Sequence, residues 1–104
     1  MDILVKIKRL VIARQVVFSA KAREERLACE LTVEEIIESI LNAPTINKTL
    51  RSTSRFRKSQ KEKLYVIISS TYDGKVIYTK GTIRKLNQRE EFYILISSKW
   101  SSHE

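Results

Sequence analysis

The chain has 104 residues, which is enough for one small domain with a single hydrophobic core and too few for two. Hydrophobic residues make up 42% of the chain and charged residues 31%, a mixture typical of a folded globular protein rather than of a disordered one. Lys and Arg number 20 against 12 Asp and Glu. The resulting net charge of +8 predicts attraction to a polyanion: nucleic acid, a membrane surface or an acidic protein.

Other features of the composition narrow the fold class and the compartment. Two glycines and one proline are few for an all-β protein with many tight turns, so helices and a few long strands are favoured. A single cysteine excludes an intramolecular disulfide and fits a reducing compartment. Lys6, Lys8, Arg9 and Arg14 interrupt the apolar N-terminus, which therefore resembles neither a signal peptide nor a transmembrane helix. We expect a cytoplasmic protein without a membrane partner.

The N-terminal half predicts three helices and one short strand. Apolar residues at helical spacing predict an amphipathic helix over 2–13. β-branched and aromatic residues predict a strand over 15–18, and the composition of 19–29 favours a second helix with Ser19 as its N-cap. The sequence Thr32-Val-Glu-Glu is a capping box, which opens a third helix that ends before Pro44.

The C-terminal half predicts strands. The β-rich stretches are 45–50, 63–69, 75–83 and 92–98. Asp73-Gly74 predicts a hairpin turn, and the polar segment 84–91 is interpreted as a connection. We therefore predict a single α+β domain over residues 1–104, in which the N-terminal helices pack on one face of an antiparallel sheet of about four strands.

Most of the excess positive charge lies in one short segment. Residues 47–63 hold seven basic residues and one acidic residue, a net charge of +6. Such a run is either a solvated loop or a phosphate-binding surface. Hydroxyl groups and Phe56 between the cations favour nucleic acid, because hydroxyls donate to phosphate oxygens and an aromatic ring stacks on bases. The predicted RNA-binding residues are Arg51, Ser52, Arg55, Arg57, Lys58 and, further along, Lys80.

Most catalytic classes find little support in the sequence. The only histidine, His103, is next to last, and Cys29 is interpreted as a core residue because no histidine accompanies it. Tyr65, Tyr93 and Trp100 are likewise assigned to the core or its edge. The glutamates of the predicted helices are interpreted as solvated, namely Glu24, Glu25, Glu34, Glu35 and Glu38. We therefore expect no metal site and no cofactor, and the remaining reactive groups are Lys, Arg, Tyr and Ser.

These groups are sufficient for one reaction. Metal-free RNA cleavage needs a group that accepts the 2′-hydroxyl proton, a group that protonates the leaving 5′-oxygen and cations that neutralise the phosphorane. A lysine crowded by other cations can act as a base, and tyrosine can pass a proton. The composition is therefore compatible with a ribonuclease without requiring one.

The order of elements also resembles a known family. Over residues 3–99 the chain is similar to MqsR-type toxins, the mRNA interferases with a RelE-like fold. The resemblance rests on the helix-to-strand passage over 36–49, on IYTKG over 77–81 and on ISSK over 96–99. It implies a small protein that cuts messenger RNA without a metal and is held inactive by an antitoxin protein.

The resemblance also implies catalytic residues. By position, the family's lysine after the third helix corresponds to Lys48, its sheet tyrosine to Tyr78 and the lysine that closes its last strand to Lys99. The family's glutamine before the central strand has no clear counterpart within 60–63, and the basic run from Arg51 could take over phosphate neutralisation. Without the resemblance, Lys48 and Lys99 could be solubilising charges and Tyr78 a packing residue.

Three functions follow in order of preference. The first is a metal-independent endoribonuclease acting on messenger RNA, the toxin component of a type II toxin–antitoxin pair. The second is a binding module with the same fold that takes nucleic acid or an antitoxin without chemistry. The third is a protein whose basic segment binds an acidic chain.

Overall fold

The computed structural model describes residues 2–51 and 62–101. In these residues the chain has an α+β fold with three helices and a five-stranded sheet. The helices are α1 (Ile3–Ile12), α2 (Ala20–Ala28) and α3 (Val33–Leu41). The strands are β1 (Val16–Phe18), β2 (Lys48–Arg51), β3 (Lys63–Ser70), β4 (Val76–Leu86) and β5 (Glu90–Trp100). None of the helices in the described residues is long and apolar enough to cross a membrane.

Each of the three helices begins at a capping side chain, and two of these caps, Ser19 and Thr32, were predicted. The Asp2 carboxylate accepts a hydrogen bond from the Leu4 amide at 2.9 Å, and the Ser19 hydroxyl accepts one from the Ala22 amide at 3.1 Å. At α3 both halves of the capping box are present. These side chains satisfy amide groups that have no partner within their helix. The predicted helices are therefore confirmed.

The sheet differs from the prediction in its number of strands and in the parallel pairing of one strand. Its order is β1-β5-β4-β3-β2, and β1 pairs with β5 in parallel, so the predicted antiparallel sheet of about four strands is wrong. The strand over 15–18 was expected, but its pairing was not. Val16 lies opposite Tyr93, a partner that is distant in sequence, and periodicity within a segment carries no information about such a partner.

The hairpin between β4 and β5 is also longer than predicted. The segment 84–91, interpreted as a connection, is mostly strand, and only Asn87, Gln88 and Arg89 lie outside it. Its polar side chains fit a strand because they pair with residues of other segments: the Arg84 guanidinium donates to Glu62 at 2.6 and 3.0 Å, and Glu91 accepts from Lys6 at 3.0 Å. The predicted Asp73-Gly74 turn is confirmed, and Gly74 has a φ of 88°, which favours glycine.

The hydrophobic core lies between the helices and one face of the sheet. The helices contribute buried Ile7, Val11, Ala22, Ile36, Ile37 and Ile40, and the sheet contributes Tyr65, Ile67, Ile77, Tyr93 and Leu95. We call this side of the sheet the covered face. Gly81 packs closely against the ring of Tyr93 on this face, since a Cβ at Gly81 would lie 2.5 Å from the Tyr93 Cζ. A glycine is therefore required opposite this ring.

Candidate functional site

The side chains that alternate with the core residues form the other side of the sheet, which we call the open face. Successive side chains of a strand point to opposite faces. Val66 and Ile68 on β3, Tyr78 and Lys80 on β4, and Lys99 on β5 therefore share the open face, as their register across the three strands shows. This face combines cations and an aromatic ring with apolar side chains.

Two of the three predicted catalytic residues are direct neighbours on the open face. Tyr78 and Lys99 lie opposite each other on β4 and β5. The Lys99 Nζ lies 5.6 Å from the centre of the Tyr78 ring, within the range of a cation–π interaction. Lys80 is two residues further along β4 on the same face, about 7 Å away along the strand. We call Tyr78, Lys80 and Lys99 the Lys–Tyr cluster.

The third predicted catalytic residue lies apart from this cluster. Lys48 on β2 is opposite Val66, which is opposite Lys80, so one strand separates the two lysines. With strands about 4.8 Å apart, their backbones are separated by about 10 Å. Lys48 is exposed and lies on the open face at the edge of the sheet. The structure therefore does not bring Lys48 together with Tyr78 and Lys99.

The structure does not bring the predicted RNA-binding residues that it describes together in one place. Lys80 belongs to the cluster. Arg51, at the end of β2, is exposed and lies opposite Lys63, and alternation places it on the other side of the sheet from Lys48. Ser52, Arg55, Arg57 and Lys58 lie outside the described residues.

A β-bulge on β5 produces the pairing of Lys99 with Tyr78. Gly81 is opposite Leu95 and Lys80 is opposite Ser97, so Ile96 is an extra residue without a partner on β4. If β5 instead continued in regular pairing from Leu95, with Ile96 opposite Lys80, Lys99 would lie opposite Ile77 and face the core. Bulges commonly occur next to functional sites, where they redirect a side chain.

A glutamate on α2 is bound to the residues that follow the bulge. The Glu25 Oε1 accepts hydrogen bonds from the Ser97 hydroxyl at 2.7 Å and from the Ser98 amide at 3.0 Å. Burial raises the pKa of Glu25, but these two hydrogen bonds and the charges of Lys21 and Lys99 outweigh it and hold the pKa below its usual value. The carboxylate is thus ionised at neutral pH.

The interpretation of the helix glutamates as solvated is therefore wrong for three of the five. Glu25 binds β5, Glu35 pairs with Lys75 on the β3–β4 hairpin, and Glu38 accepts the Tyr72 amide at 2.9 Å. Their partners lie 34 or more residues away in sequence. Helix periodicity shows only that a glutamate lies off the apolar stripe. It does not show what packs beside it.

The assignments of the other aromatic residues and of the cysteine agree with the structure. Tyr65 and Tyr93 are buried in the core. Trp100 is half exposed and its indole N–H donates to the Cys29 carbonyl at 3.2 Å, so it lies against the end of α2 at the edge of the core. Cys29 is half-buried and packs against the core.

The described residues contain no group of three or more His, Cys, Asp or Glu side chains that could hold a metal ion. The polar groups of the open face are instead amines, a phenol and hydroxyls. Comparisons with protein-family models, curated proteins and solved structures found no match to this chain. The resemblance to MqsR-type toxins thus rests on the sequence motifs alone.

Proposed function

We propose that this protein is a metal-independent endoribonuclease with a RelE-like fold that cleaves messenger RNA, the toxin of a toxin–antitoxin pair. The observation that carries the proposal is the Lys–Tyr cluster: a phenol and two amines on one exposed region of the sheet, at positions where the family resemblance expects two of them. The net charge of +8 supports the same substrate, because a basic surface attracts the RNA backbone.

The proposed reaction is an internal transesterification. The 2′-oxygen attacks the adjacent phosphorus while its proton passes to a base, and the bond to the 5′-oxygen breaks as that oxygen receives a proton. The products are a 2′,3′-cyclic phosphate and a free 5′-hydroxyl. Lys99 stabilises the charge that develops on the phosphorane, the Tyr78 hydroxyl exchanges a proton at the scissile bond, and Lys80 binds a phosphate of the RNA.

The apolar part of the open face supports binding of an unpaired strand. Val66 and Ile94 on this face are buried, whereas Ile68 is 36% exposed and lies opposite Tyr78, so Ile68 provides the apolar contact surface beside the cations. Bases that are not paired can lie against such a surface and against the Tyr78 ring. Lys48, whose backbone is about 10 Å from that of Lys80, would contact a phosphate one or two nucleotides away.

The alternative is a module that binds nucleic acid without cleaving it. The position of Lys48 favours it, because the three predicted catalytic side chains do not meet at one point. Cations and one aromatic ring on a sheet are sufficient for binding a single strand. The two functions share a surface and differ only in whether Tyr78 and Lys99 perform chemistry.

The test is incubation of the purified protein with a single-stranded transcript in the presence of a chelator. The proposal expects fragments that end in a 2′,3′-cyclic phosphate. Lys99→Ala and Tyr78→Phe should each slow cleavage by roughly tenfold to a thousandfold while RNA affinity changes little, since the lost contact strengthens only in the transition state. Lys85→Ala, the same charge change on an exposed residue of β4, is the matched control.

Binding without cleavage at high protein excess would support the module instead. Growth offers a second measurement: expression of the wild type alone should arrest cells, whereas Lys99→Ala should not. A short reading frame for an antitoxin beside the gene is a further requirement of the proposal.

The basic segment over residues 47–63 allows a separate test of RNA contact. Replacement of Arg55, Arg57 and Lys58 by Ala should weaken RNA binding and flatten the slope of log K against log salt by about two units, at about 0.7 for each lost phosphate contact. The cleavage rate at saturating RNA should change less than in Lys99→Ala. An unchanged slope would show that these residues do not contact phosphate.

A further inference from the structure

One face of α2 binds the bulged part of β5 at three successive points. The Ser19 hydroxyl donates to the carbonyl of the extra residue Ile96 at 3.2 Å, and the Ser98 hydroxyl donates to the Ala22 carbonyl at 2.8 Å. Glu25 accepts from both Ser97 and Ser98. Because Ser19, Ala22 and Glu25 are spaced by three residues, they lie along one side of the helix.

Glu25 is the charged member of this set and the one that reaches both residues between the bulge and Lys99. Ser97 and Ser98 are buried, and a carboxylate that accepts an O–H and an N–H at 2.7 and 3.0 Å forms charge-assisted hydrogen bonds. A shift of β5 by one residue would break both bonds and return Lys99 to the covered face.

We propose that Glu25 is a positioning residue, which holds the β5 bulge in register and thereby keeps Lys99 beside Tyr78 on the open face. The proposal goes beyond the roles implied by the family resemblance, since α2 contributes none of those residues. Its catalytic consequence rests on the proposed ribonuclease function. Its structural consequence, the position of Lys99, does not.

The structural consequence is measured in the full chain without RNA. Glu25→Ala removes the acceptor, so the Ser98 amide should exchange with solvent at least about tenfold faster than in the wild type. The NMR signals of the Lys99 side chain should lose the upfield shift that the Tyr78 ring causes. Glu25→Gln keeps an acceptor oxygen at the same place and should retain both signatures, which also covers the case in which Glu25→Ala does not fold. Glu24→Ala, an exposed neighbour on α2, is the matched control.

The catalytic consequence is measured as a double-mutant cycle. Glu25→Ala should slow RNA cleavage by about tenfold or more, because a small displacement of a catalytic group costs that much. If Glu25 acts through Lys99, Glu25→Ala combined with Lys99→Ala should cleave at about the rate of Lys99→Ala alone. If the fold-reductions of the two single mutants multiply in the double mutant, Glu25 does not act through Lys99.

The two measurements separate the two proposals. Wild-type protein that does not cleave RNA contradicts the ribonuclease function, while the exchange and NMR measurements still test the positioning role of Glu25. Glu25→Ala that leaves the Ser98 exchange rate and the Lys99 signals as they are in the wild type overturns the role of Glu25, whatever the protein does to RNA.

Discussion

The two faces of the sheet are built from the same strands but differ in the kind of side chain they carry and in whether the helices bury it. On β4, Ile77 is completely buried under the helices, whereas its neighbour Tyr78 lies half-buried on the open face beside Lys99. The covered face holds the fold together by apolar packing, and the open face presents amines and a phenol. Adjacent residues on one strand therefore contribute either to stability or to the candidate site. Comparing single mutants of two adjacent residues separates the two contributions.

The largest effect is expected from such a pair on β4. Ile77→Ala leaves a cavity in the core and should lower the free energy of unfolding by about 2–5 kcal/mol. Tyr78→Phe should change it by less than about 0.5 kcal/mol, as is usual for a residue outside the core. Denaturant unfolding followed by circular dichroism measures both. Equal losses of stability would contradict the division of the strand into two faces.

Gly81 and Lys80 form the next pair. Gly81→Ala introduces a Cβ 2.5 Å from the Tyr93 ring, and the displaced ring should cost about 1–3 kcal/mol. Lys80→Ala should leave the unfolding midpoint nearly unchanged and weaken RNA binding. A Gly81→Ala variant as stable as the wild type would show that the ring of Tyr93 can move aside.

Tyr93 permits a prediction of increased stability. Its hydroxyl is buried and has no hydrogen-bond partner among the described residues, and burial raises the pKa of Tyr93. Tyr93→Phe removes this unsatisfied group and should raise the free energy of unfolding by about 1 kcal/mol, or the thermal midpoint by about 4–8 °C. A loss of stability would mean that the hydroxyl makes a bond after all. Tyr78→Phe on the open face serves as the control.

The smallest effect concerns pH. The hydrogen bond from Lys75 and then the Thr32 amide lower the pKa of Glu35 below its ordinary value of 4.5. A carboxyl group with a lowered pKa stabilises the fold above its unfolded value, and this contribution is lost as pH falls through the folded pKa. Glu35→Gln should therefore be less stable than the wild type at pH 7 and similar to it at pH 3. Thermal midpoints at the two pH values measure this, with Glu24→Gln as the control.

Much of the secondary structure could be predicted from local chemistry. The N-caps at Ser19 and Thr32 were identified because a hydroxyl that binds the third amide after it is a local interaction. The apolar spacing of Ile7 and Val11 likewise identified the buried side of α1. These features depend on residues within a few positions of one another, so the sequence displays them directly.

Only the tertiary structure decided how the candidate site is assembled. The sequence alone determined an α+β domain with basic character and supplied the two lysines and the tyrosine as candidates. It did not determine that β1 joins β5, that Ile96 is an extra residue or that Glu25 binds Ser97 and Ser98 across 72 and 73 positions. The physical reason is that pairing register and bulges arise from packing between distant segments. A shift of one residue on β5 would exchange the open face for the core without changing any local propensity.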